Sequence, residues 1–100
     1  MTSKQRSYLK SLAVNLDTIF QLGKGGITDE LCNQLLNALN ARELIKIKVL
    51  ENSPISAKDA SFEIAEKIGA EVVQVIGTKI VFFRVSDNEK NRKIDIKKIK

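Results

Sequence analysis

The stretch from residue 22 to residue 30 constrains the fold more than any other part of the chain. It reads Leu-Gly-Lys-Gly-Gly-Ile-Thr-Asp-Glu, so apolar residues lead into a loop with three glycines and one lysine, and a helix start follows at once. Glycine accepts a positive φ and permits close backbone approach, while a helix N-terminus presents unpaired N–H groups. A loop of this kind can bind an anion. Taken alone, however, the motif favours a plain turn, because short motifs often occur without a ligand.

The segments on either side alternate between helical and strand patterns. Thr2 and Gln5 have capping-box spacing, with apolar residues at helical intervals after them (Tyr8, Leu9, Leu12 and Ala13). The predicted helices cover about residues 3–14, 29–41 and 57–68, with Thr28 and Ser56 as N-caps and Gly69 as the left-handed cap of the third. The predicted strands cover residues 18–22, 43–50, 71–76 and 79–85, and Gly77-Thr78 forms a type II′ turn between the last two.

These elements predict an α/β protein with the order α-β-α-β-α-β-β. Strands that alternate with helices pair in parallel through crossovers, and the final hairpin makes its last strand antiparallel. We therefore expect a small two-layer domain with a mixed four-stranded sheet. It covers residues 1–85, because from residue 86 onward the composition becomes strongly basic. Residues 86–100 are expected to form a mobile or partly ordered tail, with a short edge strand around Ile94 and Ile96.

The charge balance favours a polyanionic partner. The chain has 17 Lys+Arg against 12 Asp+Glu, a net charge of +5, which suits nucleic acid or an anionic membrane surface. The first helix carries Lys4, Arg6 and Lys10 with no acid before Asp17. Such a stripe is often only a solvated face. The predicted strand at residues 43–50 likewise has one apolar face and one basic face with Lys46 and Lys48.

Several classes of function are disfavoured by what the sequence lacks. It has no His and one cysteine, Cys32, so it offers no disulfide framework and no zinc cluster, and it lacks the commonest general base. We interpret Cys32 as a packing residue in the second helix. The glycine loop also lacks the GxxxxGK[ST] spacing of a Walker A motif. We expect a non-catalytic cytoplasmic protein without a cofactor, a metal, a small-molecule substrate, a signal peptide or a membrane span.

Several separated blocks of the sequence resemble the YhbY-like, or CRM-domain, RNA-binding proteins. The blocks are residues 2–6, 9–10, 12–13, 22–28, 43–48 and 73–77, together with Arg84. The resemblance covers about residues 2–85. Members of the family often have His, Pro and Tyr where this chain has Val14, Thr18 and Phe83, so a hydrogen bond from that phenol is absent here.

The resemblance implies a fold similar to the C-terminal domain of translation initiation factor three, with a GxxG loop after the first strand. It also implies a small bacterial RNA-binding protein that associates with precursors of the large ribosomal subunit during ribosome biogenesis. Loops of the Gly-x-x-G type clamp the nucleic-acid backbone in KH modules. The residues expected to contact RNA are Lys4, Gln5, Arg6, Lys10, Gly23, Lys24, Gly25, Gly26 and Thr28.

Two other functions remain open at this point. The same basic surface could bind duplex DNA as an architectural protein, or the charge could serve solubility in a protein-interaction module. Competition between structured ribosomal RNA and DNA distinguishes an RNA-binding protein from a DNA-binding one. A lack of salt-sensitive RNA binding indicates a protein-interaction module. We expect a monomer that binds ribosomal RNA, or assembling large-subunit particles, through backbone contacts and shape.

Overall fold

The computed structural model describes residues 1–92 and residue 94 of the chain. Its helices and strands follow the predicted order, and most bounds agree within one or two residues. The elements are α1 (Ser3–Ala13), β1 (Thr18–Leu22), α2 (Asp29–Arg42), β2 (Leu44–Val49), α3 (Ala57–Ile68), β3 (Glu71–Ile76) and β4 (Lys79–Phe83), followed by a short 3₁₀ turn (Glu89–Asn91).

The four strands form one mixed sheet in the order β1-β2-β4-β3. β1 pairs in parallel with β2, whereas β4 is antiparallel to both β2 and β3. Gly77 has a φ of +57°, as the tight β3–β4 turn requires. The α/β class and the mixed four-stranded sheet are thus confirmed. β4 ends at Phe83, two residues earlier than expected.

Local capping chemistry sets the helix bounds as the sequence predicted. Thr2 and Gln5 form a reciprocal capping box at the start of α1, with Thr2 N–H donating to Gln5 Oε1 at 2.8 Å. Ser56 accepts the Asp59 N–H at the start of α3, and Gly69 ends that helix in the left-handed region. These contacts satisfy backbone groups that a helix end otherwise leaves unpaired.

The larger core lies between one face of the sheet and helices α2 and α3. Alternate residues of the central strands point into it, among them Ile45, Ile47 and Phe82, each at most 1% exposed. Leu35 and Leu39 of α2 and Ile64 of α3 meet them from the helical side. This core contains Leu22, the residue immediately before the glycine loop, and therefore fixes the point from which the loop leaves the sheet.

A second core lies on the opposite face of the sheet, beneath α1. Leu9 and Ala13 of α1 pack there with Leu44, Val81 and Phe83. The sheet therefore has helices on both faces, rather than the two layers expected from the sequence. The reason is that β4 is apolar at consecutive positions, with Ile80 and Phe82 on one face and Val81 and Phe83 on the other. Both faces must then be covered.

The apolar stripe of α1 is narrower than its helical periodicity suggested. Leu9 and Ala13 are buried, but Tyr8 and Leu12 are about two-fifths exposed at its margins. Phe62 of α3 is 61% exposed and lies outside the apolar stripe of that helix.

Glu43 differs most from its expected role. It was predicted to begin a strand, but it ends α2 as a left-handed cap with a φ of +65° and is completely buried. Its backbone N–H donates to the Leu39 carbonyl, and its own carbonyl accepts the Arg84 N–H. Alternating apolar residues after position 43 made the strand appear to begin one residue earlier than it does.

The segment after β4 contacts the domain through this glutamate. Ser86 is buried, its hydroxyl donates to the Asn40 carbonyl, and the backbone N–H groups of Ser86 and Ile94 donate to the Glu43 carboxylate. Of the two expectations for this segment, the described residues fit partial order. Ile94 packs against the core beneath α1 and is not in a strand, while Ile96 lies outside the described residues. The division at residue 85 remains a prediction.

Candidate nucleic-acid interface

The glycine loop is a closed turn whose tip points away from the protein. The Gly26 N–H donates to the Gly23 carbonyl at 3.0 Å, so the four residues fold back on themselves. Lys24 and Gly25 form the exposed tip, while Gly23 and Gly26 are half-buried. Next in the chain, Ile27 packs against the larger core. The tip is thus anchored at both ends, and a bound anion would meet a preorganised backbone.

The three loop positions differ in whether the fold requires a glycine there. Gly26 has a φ of +70°, and a Cβ atom added to it would lie 3.2 Å from Pro54 Cγ. At Gly23 an added Cβ would make only ordinary contacts, 3.5 Å from Leu50 Cδ1 and 3.6 Å from Asn52 Oδ1. At Gly25 it would meet nothing within 4 Å. Folding therefore accounts for Gly26, whereas nothing within the described chain accounts for Gly25.

The start of α2 lies directly after the loop and has its own cap. Thr28 Oγ1 accepts the Leu31 N–H at 3.1 Å, as predicted. Asp29 and Glu30 occupy the first turn, where acidic side chains interact favourably with the helix dipole. They also reduce the attraction of this helix end for an added anion. Any phosphate at the loop therefore depends mainly on the loop backbone and on Lys24.

The predicted residues of α1 lie on the other side of the sheet from α2. Lys4 is exposed, but the side-chain oxygen of Gln5 belongs to the capping box. Arg6 is half-buried, and its Nε atom is buried without an acceptor among the described residues. Lys10, one helical turn before the end of α1, borders a groove together with Lys46 and Lys79. The structure therefore divides the predicted residues between two helices on opposite faces of the sheet.

Sequence analysis missed Lys79 as a site residue and mentioned Lys46 and Lys48 only as the basic face of a strand. The strand pairing brings these lysines together, since Lys48 lies directly opposite Lys79 in the register of β2 and β4. A usable signal was the lysine at the first position of β4, directly after the predicted hairpin turn. Its position opposite Lys48 depends on the pairing of β4 with β2, and the sequence analysis made no prediction about which strands are neighbours.

The metal-ligating and nucleophilic side chains of residues 1–92 and 94 were compared with the requirements of a metal site and of a reactive thiol. No group of three or more His, Cys, Asp or Glu side chains there could hold a metal ion. Burial raises the pKa of the Cys32 thiol, which disfavours the reactive thiolate. Among the described helices, none combines the length and apolar character that a membrane span needs.

The fold and the loop define a class of small α/β proteins with a GxxG turn between a sheet and a helix. The family model for the CRS1 / YhbY (CRM) domain matches residues 1–84, and the chain belongs to this family. The resemblance inferred from the sequence blocks is thereby confirmed.

Two curated relatives and one solved structure are similar over nearly their whole length. The Bacillus subtilis (strain 168) protein named "Probable RNA-binding protein YqeI" is 38% identical over 96 residues, which is 96% of this chain and 98% of that protein. A Haemophilus influenzae protein named "RNA-binding protein" is 34% identical over 90 residues, covering 90% and 91% of the two chains. The solution structure of SAV1595 from Staphylococcus aureus, for which RNA binding has been suggested, has a TM-score of 0.67 and 43% identity, and covers 95% of this chain and 99% of its own.

Proposed function

We propose that this protein binds RNA through the tip of the glycine loop and the lysines around it. The observation that carries the proposal is Gly25, whose missing side chain serves no packing role, beside an exposed lysine on a closed turn. The names of the relatives support RNA as the ligand. A bare backbone at position 25 lets a phosphate approach the loop N–H groups closely.

The resemblance to YhbY-like proteins supports a finer proposal. The RNA is ribosomal RNA in precursors of the large subunit, and the protein acts in the cytoplasm during ribosome assembly. It works by binding rather than by catalysis, as a monomer without a cofactor. This proposal is consistent with a chain of net charge +5 that lacks histidine.

Affinity must come from several contacts added together. An exposed helix end contributes only about 0.3 to 1 kcal/mol to binding of an anion, and at α2 the first-turn acids reduce that further. Lys24 at the tip, the hydroxyl of Thr28, and Lys4, Arg6 and Lys10 on α1 supply further contacts in the proposed complex. The loop thus determines where RNA docks, and the lysines and arginines supply most of the affinity.

A salt titration tests the role of the loop. We compare the affinity of the wild type, Lys24→Glu and Arg42→Glu for a structured ribosomal RNA fragment between low and physiological salt. Arg42 is the control because its charge change is the same and it ends α2, about 20 Å along the helix from Thr28. We expect Lys24→Glu to bind several-fold more weakly with a smaller salt slope, and Arg42→Glu to bind nearly like the wild type.

This titration, together with a competition between the same RNA fragment and duplex DNA at physiological salt, also decides between the functions left open by the sequence. Equal binding by Lys24→Glu and the wild type contradicts the proposed role of the loop. Preference for duplex DNA over structured RNA at physiological salt indicates a DNA-binding protein. A wild type without salt-sensitive binding to any RNA overturns the proposed function as a whole and favours a protein-interaction module.

A further inference from the structure

The end of the sheet nearest the glycine loop carries exposed lysines on the face that α1 covers only in part. Lys48 of β2 lies directly opposite Lys79 of β4, and Lys46 lies two residues earlier on the same face of β2. Lys48 and Lys79 are exposed, while Lys46 is half-buried. Three positive charges are thus brought together by strand register.

The repulsion between these three lysines destabilises the folded sheet. Like charges directly opposite on neighbouring strands are destabilising, and here a third lysine is close by. Within residues 1–92 and 94, the ion pairs join Arg84 to Asp87 and Arg92 to Glu89, so none of the three lysines has an acidic partner there. A bound anion would relieve the repulsion between them.

The C-terminal turn of α1 and this end of the sheet enclose a groove of about 400 Å³, which we call the lysine groove. Its basic lining residues are Lys10, Lys46 and Lys79. Val81 and Ala13 form a buried apolar floor, whereas Val14 and Ile76 are 74% and 58% exposed. Gln74 adds an amide that can both donate and accept hydrogen bonds.

The lysine groove and the glycine loop lie toward the same end of the sheet. Gln21 pairs with Lys48, and the next residue, Leu22, pairs with Val49 before the chain turns into the loop. Lys24 is therefore three residues beyond the strand position that adjoins Lys48. A polyanion seated on the loop would reach the groove across this strand end.

We propose that the lysine groove holds one unstacked nucleotide of the bound RNA, with a phosphate at the lysines and the base against Val14, Ile76 and Val81. This inference rests on the proposed function and adds a second contact area to it. The groove volume falls in the range of small-ligand clefts. Single-stranded and bulged RNA presents unstacked bases whose faces and edges are open to a protein. Since aliphatic side chains line the groove, the base packs against them and Gln74 reaches its edge.

The first test measures the charge contribution. We compare Lys79→Gln with Arg42→Gln, which removes one positive charge at the far end of α2, using an RNA hairpin that carries a single-nucleotide bulge. Lys79→Gln is expected to lower the affinity several-fold and to reduce the slope of log K against log salt by about 1. Arg42→Gln is expected to leave both unchanged. An unchanged salt slope for Lys79→Gln overturns the phosphate contact.

The second test measures the apolar contact with the base. Ile76→Glu places an acid in the groove, and Phe62→Glu makes the same type of change at an equally exposed apolar residue on α3, across the sheet. The wild type and Phe62→Glu are expected to bind the bulged hairpin several-fold more tightly than the fully paired hairpin. Ile76→Glu is expected to lose that preference. If it retains the preference, the base does not enter the groove.

Photo-crosslinking distinguishes two negative results: that no nucleotide enters the lysine groove, and that the protein does not bind RNA at all. The bulged nucleotide is replaced by 4-thiouridine, irradiated in the complex, and the crosslinked peptide is identified by mass spectrometry. Crosslinks to the end of α1 or to the β3–β4 hairpin support the groove. Crosslinks confined to residues 23–28 overturn the groove but retain the proposed function. No crosslink and no salt-dependent binding contradict both.

Discussion

The carboxylate of Glu43 accepts the backbone N–H of Ser86 at 2.9 Å, although the two residues lie 43 positions apart. The same carboxylate accepts the Ile94 N–H at 3.2 Å. Glu43 is fully buried and stands where α2 passes into β2, so one side chain connects the centre of the domain to the segment after its last strand.

Loss of this carboxylate is expected to destabilise the protein. In Glu43→Gln the amide keeps the shape, but its NH₂ group cannot accept a backbone N–H. One unpaired buried group costs about 1 to 3 kcal/mol, so the free energy of unfolding should fall by that amount in a denaturant titration. Asn37→Ala, at an exposed position of the same helix, serves as the control. A Glu43→Gln protein as stable as the wild type would show that these hydrogen bonds contribute little.

Two truncations of the C-terminal segment test how much its contacts with Glu43 stabilise the domain. Removal of residues 86–100 leaves the buried Glu43 carboxylate without the Ser86 and Ile94 N–H groups, so we expect the melting temperature to fall by at least about 5 °C. Removal of residues 95–100 keeps those contacts and should leave the melting temperature close to that of the full chain. Comparable melting temperatures for both truncations would support an independent domain ending at residue 85.

The loop glycines offer a matched pair of substitutions. Gly26→Ala places a Cβ at a φ of +70° and 3.2 Å from Pro54 Cγ, and should lower the free energy of unfolding by about 1 to 2 kcal/mol. Gly25→Ala meets nothing within 4 Å and should leave stability unchanged. Because Gly25 lies at the proposed contact with phosphate, its alanine variant should still bind RNA more weakly. Unaltered RNA affinity of Gly25→Ala would argue against close backbone approach at the tip.

Cys32 should behave as a packing residue in solution. Burial raises the pKa of its thiol, so the native protein should react slowly with a disulfide reagent at neutral pH, and the denatured protein quickly. A thiol whose pKa is raised by folding favours the native state below its ordinary pKa, and that advantage declines as the pH rises through the folded value. Rapid modification of the native protein near pH 7 would contradict this assignment.

The parts of the fold that depend on local chemistry could be read from the sequence. The Thr2 and Gln5 capping box, the Ser56 cap and the Gly69 cap each involve residues at most four positions apart, and the structure has them all. Glu43 could not be recognised in the same way, because its carboxylate partners lie more than forty residues further along the chain. An isolated acid before alternating apolar residues carries no local sign of burial.

The glycine loop of the candidate site could be predicted from the sequence, whereas the grouping of the lysines on the sheet could not. The glycine loop and the Thr28 cap follow from neighbouring residues, and both are present. The position of Lys48 opposite Lys79 follows from the insertion of β4 beside β2, which is a property of the whole sheet. The four consecutive apolar residues 80–83 of β4 did contain a usable signal, since a strand stretch without polar positions is covered on both faces.

The strand order has a consequence for how the chain is made. β4 is the last strand to be synthesised, yet it lies between β2 and β3 and joins them. Until Phe83 is available, β3 has no neighbour in the sheet and the edge of β2 that faces away from β1 is unpaired. A nascent chain therefore cannot close its sheet stepwise, and cooperative folding of the sheet must wait until the chain has emerged through Phe83.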